Sequence, residues 1–325
     1  MNGSSLGGDA VTGSTDDRYP HQPVLYHQVL EALAPVSGGD YLDGTLGAGG
    51  HAEGILKVSA PRGRLLGLDL DPEALAIARQ RLFIYRDRVV LQQASYHLAP
   101  QILKSLGWSH LDGILLDLGV SSMQIDQPGR GFSFQKDGPL DMRFDQGEGP
   151  TAAELIHSLS QEELARILRE YGEERFANRI ARAIINARPI QSTRALAAVI
   201  EATVPYYEAG LHPATRTFQA LRIATNTELE KLTLALPGLV NILAPGGRIA
   251  VISFHSLEDR IVKQFFKTES SDCICPPEQP VCTCDHSASI NIITRKPIRP
   301  GAQEIMENPR ARSARLRVAE KIKKA

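Results

Sequence analysis

Leu42-Asp43-Gly44-Thr45-Leu46-Gly47-Ala48-Gly49-Gly50-His51 decides the fold. A short apolar run closes on an acid, a loop carrying four glycines follows, and a helical pattern then runs through Ile55. A strand, a glycine turn and a helix in that order make a nucleotide-binding turn, because glycine has no Cβ to hold the backbone away from a ligand. Asp69 ends the next apolar run and is placed to accept hydrogen bonds from ribose hydroxyls. Two cofactors fit these residues. Gly47-x-Gly49-x-x-Ala52 nearly satisfies the dinucleotide fingerprint and would suit NAD. Asp43, however, stands just before the loop, where a carboxylate repels a pyrophosphate and attracts the cationic amino-acid end of S-adenosylmethionine. The residues favour S-adenosylmethionine and leave NAD open.

Working outward, Arg64–Asp69, Val89–Leu91 and Asp112–Asp117 read as further buried strands, each followed by a helical pattern; Pro72 suits the first turn of a helix through Leu82. The alternation predicts an α/β protein with a doubly wound parallel sheet. Ligands sit at the carboxyl ends of such strands, so Asp117 belongs to the site, with Gln124 in the next layer. Tyr96, after the third strand, either packs on the adenine or is a core aromatic. Beyond a Gly/Pro-rich stretch from Gln127 to Pro150 the pattern turns helical for some seventy residues, with a capping box at Ser160–Glu163 and a helix start at Ser192 or Thr193. The expected division is a tail over 1–18, a discontinuous α/β domain over 19–125 and 221–325, and an inserted helical domain over 126–220. The sheet resumes at Arg248–Phe254, entered by the turn Pro245-Gly246-Gly247, and Ser256–Asp259 caps the next helix. Ile290–Thr294 and Leu316–Glu320 are candidates for an antiparallel completion of the sheet.

The chain has 325 residues, 42% hydrophobic and 22% charged, with a formal net charge of −1. That is ordinary for a globular protein with ample core. No apolar run of about 18 residues occurs, which excludes a spanning helix. The Gly/Ser/Thr/Asp-rich beginning has no apolar leader segment, so a cytoplasmic location is expected. From Arg295 onward, ten Arg and Lys stand against three Glu, an end able to grip phosphates or simply to be solvated. Cys273-x-Cys275 and Cys282-x-Cys284 form a compact cluster; four thiolates can hold zinc, but the usual spacing is C-x2-C, and reduced surface thiols are the plainer expectation. No metal is expected at the site of chemistry.

Longer strings are specific enough to recognise. His21–Leu25, Asp43–His51, Asp112–Ser122, Arg130–Phe134, Gly138–Arg143, His212–Arg222, Ser253–Arg260 and Asn308–Ser313 together resemble the bacterial ribosomal RNA small subunit methyltransferase H family, in the same order from about Tyr19 to Lys321. The resemblance implies a Rossmann-like class I methyltransferase sheet with an inserted all-helical domain. It further implies transfer of a methyl group from S-adenosylmethionine to the N4 amino group of cytosine 1402 in the decoding region of 16S rRNA, within the small ribosomal subunit. The products are N4-methylcytidine and S-adenosylhomocysteine. The family's cofactor contacts fall on Gly49, Gly50, His51, Asp69, Asp117 and Gln124, beside Asp43 and Gly47 from the reading above. The family's aromatic position falls on Tyr96, although Gln93-Ala94-Ser95 departs from the usual Gly-Asn before it.

The exocyclic nitrogen of cytosine is a poor nucleophile, because its lone pair is conjugated into the ring. Catalysis needs acceptors for the amino hydrogens, an everted base and an in-line methyl group. Asp117 is the leading acceptor, with Asp141 and His255 as further catalytic candidates; Phe132, Phe134, Arg143, Arg310 and Arg312 are candidates for holding RNA. Each has a plainer reading: Asp141–Arg143 an ion pair, the two phenylalanines core, and His255 a structural hydrogen-bonder. C5 methylation would need an attacking thiolate, which the late cysteines do not offer. A small-molecule methyltransferase and a non-catalytic RNA-binding assembly factor are the remaining alternatives.

Overall fold

The computed structural model describes residues 23–205, 210, 212–276, 278, 279 and 281–323. The tail expected over 1–18 and the His21-Gln22 part of the first matching string lie outside the described residues.

The apolar runs form the expected sheet. Its strands are β1 (Asp40–Asp43), β2 (Arg64–Asp69), β3 (Val89–Gln93), β4 (Leu111–Asp117), β5 (Leu243–Ser253), β6 (Ile290–Ile292) and β7 (Arg315–Lys321). Their order is β3-β2-β1-β4-β5-β7-β6. The first five in that order are parallel, and β7 is antiparallel to both neighbours. The chain moves outward from β1 to β3 in one direction and from β4 to β5 in the other, so the strand order switches between β1 and β4. A crevice opens at such a point, outside the carboxyl ends of the strands. Asp43 and Asp117 are the last residues of those two strands.

Helices cover both faces: α1 (Tyr26–Leu33), α2 (Gly50–Val58), α3 (Pro72–Arg81), α4 (Ala99–Ser105) and the short α5 (Ser122–Asp126) in the first half. Between β4 and β5 run α6 (Ala152–Ser158), α7 (Gln161–Gly172), α8 (Ala177–Ala187), α9 (Thr193–Thr203), α10 (Thr215–Asn226) and α11 (Glu228–Asn241); α12 (Ser256–Glu269) and α13 (Ala302–Glu307) follow. The strand period of two divides neighbouring residues between the faces. Leu66 and Leu116 pack with α4, α11 and α12 through Leu103, Leu236 and Phe266. Leu65 and Leu115 pack with α1, α2 and α3 through Val29, Ile55 and Leu75. A third core belongs to α6–α10, with Leu140 and Met142 contributed by the preceding loop. The expected boundary at 220 falls inside α10, whose Phe218, Ala220 and Leu221 all lie in that third core.

Local signals place several helix starts. Ser160 and Glu163 form the capping box of α7, and Ser192 caps α9. Three expectations are corrected. Pro245-Gly246-Gly247 lies within β5, at a register shift opposite Leu111–Gly113 that Gly246 accommodates at φ +84°. The cap of α12 is His255, not Ser256, because its ring nitrogen accepts from the Glu258 N–H. The C-terminal end completes the sheet antiparallel as expected, with β7 between β5 and β6, but two of its basic residues are neither solvated nor free for phosphate: Arg317 is buried, and Arg315 and Arg317 both pair with Asp259. Among the described residues no helix is long and apolar enough to cross a membrane.

Candidate cofactor and active site

The glycine turn is held from both sides. Gly44 N donates to the Leu115 carbonyl, and Leu46 N to the Leu68 carbonyl, each at 2.9 Å, so the loop lies across the ends of β2 and β4. A Cβ on Gly44 would strike Leu116 and Tyr96, and one on Gly50 would strike Pro23; these glycines serve close packing within the protein. Gly47 differs. It has φ +52° and its missing Cβ faces open space, so no side chain covers the backbone there. Gly49, at φ +78°, begins α2 without any side-chain cap, which leaves first-turn N–H groups available to an anionic group.

Three acids border this turn. Asp43 is buried and accepts from Thr45 N at 3.2 Å; burial pushes its pKa up to about 7, aided by nearby Asp69. Asp69 accepts from Gly47 N at 2.7 Å and Asp71 N at 2.9 Å, and burial still raises it to about 6. Asp117, whose backbone N–H donates to Thr45 Oγ1 at 2.6 Å, is held well above the usual carboxylate range by burial, by Asp43 and by Glu258. His51 lies 3.7 Å from Asp117, stacked on Tyr26, and burial lowers its pKa to about 4, so the ring is neutral. Asp117 Oδ1 and His51 Nε2 are buried without hydrogen-bond partners among the described residues. Unsatisfied buried polar atoms are costly and mark a place where a ligand completes the network.

The other expected residues divide. Gln124 is buried, but both ends of its amide are engaged: Oε1 accepts from Ser121 N in the capping box of α5, and Nε2 donates to Asp71 at 2.9 Å. It braces the site through Asp71. Arg130 donates to the same Asp71 carboxylate and to the carbonyls of Arg143 and Phe144, which ties the 141–144 loop to the end of β2. Asp141 and Arg143 pair bidentately with each other at 2.8 and 2.9 Å. Those hydrogen bonds outweigh desolvation and keep the Asp141 pKa low.

Phe132 stacks on Phe144, and Phe134 lies against His212 and Phe218; both rings are partly buried and pack against the helical core. Tyr96 is partly buried and packs against the sheet core beside the glycine turn. His255 caps α12 and lies 3.1 Å from Glu258. Arg310 and Arg312 are exposed, and Arg310 pairs with Asp126.

Sequence reasoning missed a buried network behind Asp117. Arg222 donates to both oxygens of Glu228 at 2.8 and 2.9 Å, and Glu228, His255 and Glu258 bring their polar atoms within 4.8 Å of one another. Glu258 also accepts from the backbone of Phe254 and His255. Its negative charge, unlike a distant one, reaches Asp117 and helps keep that carboxyl protonated. Arg222 and Glu258 stand in the recognised strings, yet nothing in their spacing shows that α10, α11 and α12 bring them together.

A ligand that fits must carry positive charge for Asp43 and Asp117 and a negative group for the start of α2. S-adenosylmethionine has both, in its ammonium and sulfonium and in its carboxylate. A pyrophosphate would meet the Asp43 carboxylate instead. Fold and site together define a class I S-adenosylmethionine-dependent methyltransferase. The chain belongs to the MraW methylase family, whose profile matches residues 18–322. It is 52% identical over 309 residues to the ribosomal RNA small subunit methyltransferase H of Geobacter sp. (strain M21), covering 94% of this chain and 99% of that one. It is 51% identical over 313 residues to the protein of that description from Syntrophotalea carbinolica, covering 95% and 100%. With the one from Heliobacterium modesticaldum the identity is 50% over 311 residues, covering 94% and 99%.

Proposed function

We propose that this protein methylates the N4 amino group of cytosine 1402 in the decoding region of 16S rRNA, acting on the small ribosomal subunit. The observation that carries this reading is the identity of 50–52%, over almost the whole of both chains, to relatives named ribosomal RNA small subunit methyltransferase H. The geometry is consistent with the chemistry.

When bound, S-adenosylmethionine supplies an electrophilic methyl group on a cationic sulfur. Asp43 and the uncapped start of α2 would hold its amino-acid end, and Asp69 its ribose. Asp117 ionises once positive charge lies beside it, because an opposite charge favours the carboxylate. Its free Oδ1 then accepts an amino hydrogen of the cytosine and orients the nitrogen for attack. As the nitrogen gains the methyl group it sheds one proton to that carboxylate. Neutral His51, 3.7 Å away, keeps the crevice free of a competing cation.

Residues 126–220 form the substrate-recognition part in this reading. Arg175, Arg179 and Arg182 are exposed there, on and just before α8, and suit phosphate contacts. Nucleoside mass spectrometry of 16S rRNA from cells lacking the protein tests the proposal. Loss of N4-methylcytidine, restored by small subunits incubated with purified protein and donor, is expected. An unchanged nucleoside profile, or methyl label on C5, refutes it.

A further inference from the structure

We propose that Cys273, Cys275, Cys282 and Cys284 form a structural zinc site that closes the segment between α12 and β6. The sequence spacing is unusual, but the fold gathers the sulfurs. Sγ of Cys273 lies 3.4 Å from Cys282 and 3.8 Å from Cys284; Cys282 lies 3.5 Å from Cys284 and 4.0 Å from Cys275. All four sulfurs fall within 4.8 Å of one another. A tetrahedral zinc with Zn–S bonds of about 2.3 Å sets its sulfurs about 3.8 Å apart. The cluster therefore has the size of a one-ion shell. A multi-iron cluster, with its own sulfides, would force the cysteines further apart. A disulfide needs sulfurs at about 2.05 Å, much closer than any pair here.

Backbone donors face three of the sulfurs. Backbone N–H groups of Ile274, Cys275 and Thr283 donate to Cys284, Cys273 and Cys275, each at 3.4 Å. Such donors stabilise negative sulfur and hold each C-x-C turn in shape. Soft sulfur ligands in a four-coordinate shell with no open position select zinc in a structural role.

The segment also needs something of this kind. Ser270 to Ser289 has no helix or strand among its described residues, and its apolar side chains Ile274 and Val281 are exposed, so it contributes to none of the three cores. Its ends are tied by Ser289 N to the Glu269 carbonyl at 2.8 Å and by His286 to the Thr268 carbonyl at 3.0 Å. Between these ties, the described residues bury no apolar side chain that would offset the entropy of ordering such a loop. A bound ion does so with four bonds.

The test is elemental analysis of the full chain, purified under reductant and without chelators. About one zinc per chain is expected, falling below about a tenth when Cys282→Ser and Cys284→Ser are combined. Because that variant can misfold, the unsubstituted protein is also alkylated in the presence of a chromogenic zinc chelator. About one zinc should be released as four thiols are modified. Zinc content near zero after growth in zinc-supplemented medium overturns the proposal. So do iron as the bound metal, an intact mass lowered by disulfide formation, or zinc retained by the double variant.

Discussion

Asp43→Asn keeps the size and the acceptor oxygen of the buried side chain while removing its charge. Burial raises the Asp43 pKa from 3.8 to about 7. The folded state thus binds this proton more tightly than the unfolded chain does. The stability that comes with the proton is present at low pH and is lost as pH rises from about 4 to about 7. Full ionisation of a group shifted by that amount costs the ligand-free protein at most about 4 kcal/mol, at about 1.4 kcal/mol per pKa unit. Between about pH 5 and about pH 8 the loss attributable to Asp43 is roughly 2.5 kcal/mol. Urea unfolding of ligand-free protein at those two pH values, followed by circular dichroism, measures it. The unsubstituted protein should lose more stability on going to the higher pH than the variant, by about that amount, and the variant should be the more stable at about pH 8. The same substitution should weaken S-adenosylmethionine binding by about tenfold or more in calorimetry, since one ion pair in a dry crevice is lost. Donor affinity of the unsubstituted protein should rise from about pH 6 to about pH 8 as Asp43 and Asp69 give up their protons. Parallel pH profiles of stability for the two proteins, with donor affinity unchanged, would refute the reasoning.

Asp117→Ala should reduce methyl transfer by about a hundredfold or more while the circular dichroism spectrum stays native; full activity would remove Asp117 from the site. Arg222→Ala leaves buried Glu228 without its bidentate partner and should destabilise the fold by about 3–5 kcal/mol in urea titration, a cost that Glu228→Gln in the same chain partly relieves. Phe134→Ala removes a ring packed against His212 and Phe218 and should cost about 3 kcal/mol of stability; a stable variant with weakened RNA binding would instead make the ring a substrate contact. Joint reversal of Arg310 and Arg312 to Glu should weaken binding to small subunits with a reduced salt slope, and an unchanged slope would leave that end structural.

Much of the scaffold was legible in the linear chain because its signals are local. Apolar runs that end in Asp43, Asp69 and Asp117 read as buried parallel strands, and the structure puts those acids at strand ends. The glycine turn and the caps at Ser160 and Ser192 depend only on a few neighbouring residues. Roles that depend on partners far along the chain were not legible. Gln124 and Arg130 meet on Asp71 across more than fifty residues, and Asn226 pins the 142–144 loop across more than eighty. The basic end reads as free charge until β7 is set beside β5 and Asp259 neutralises two of its arginines. Four cysteines at an unorthodox spacing become one cluster only when the segment after α12 folds back on itself. Residue type and short-range period thus determined the strands, the turn and the acids, because burial on a pleated sheet and backbone capping are settled within a few residues. Tertiary structure decided which polar groups are paired and which are left open at the crevice, because that depends on how separate helices pack.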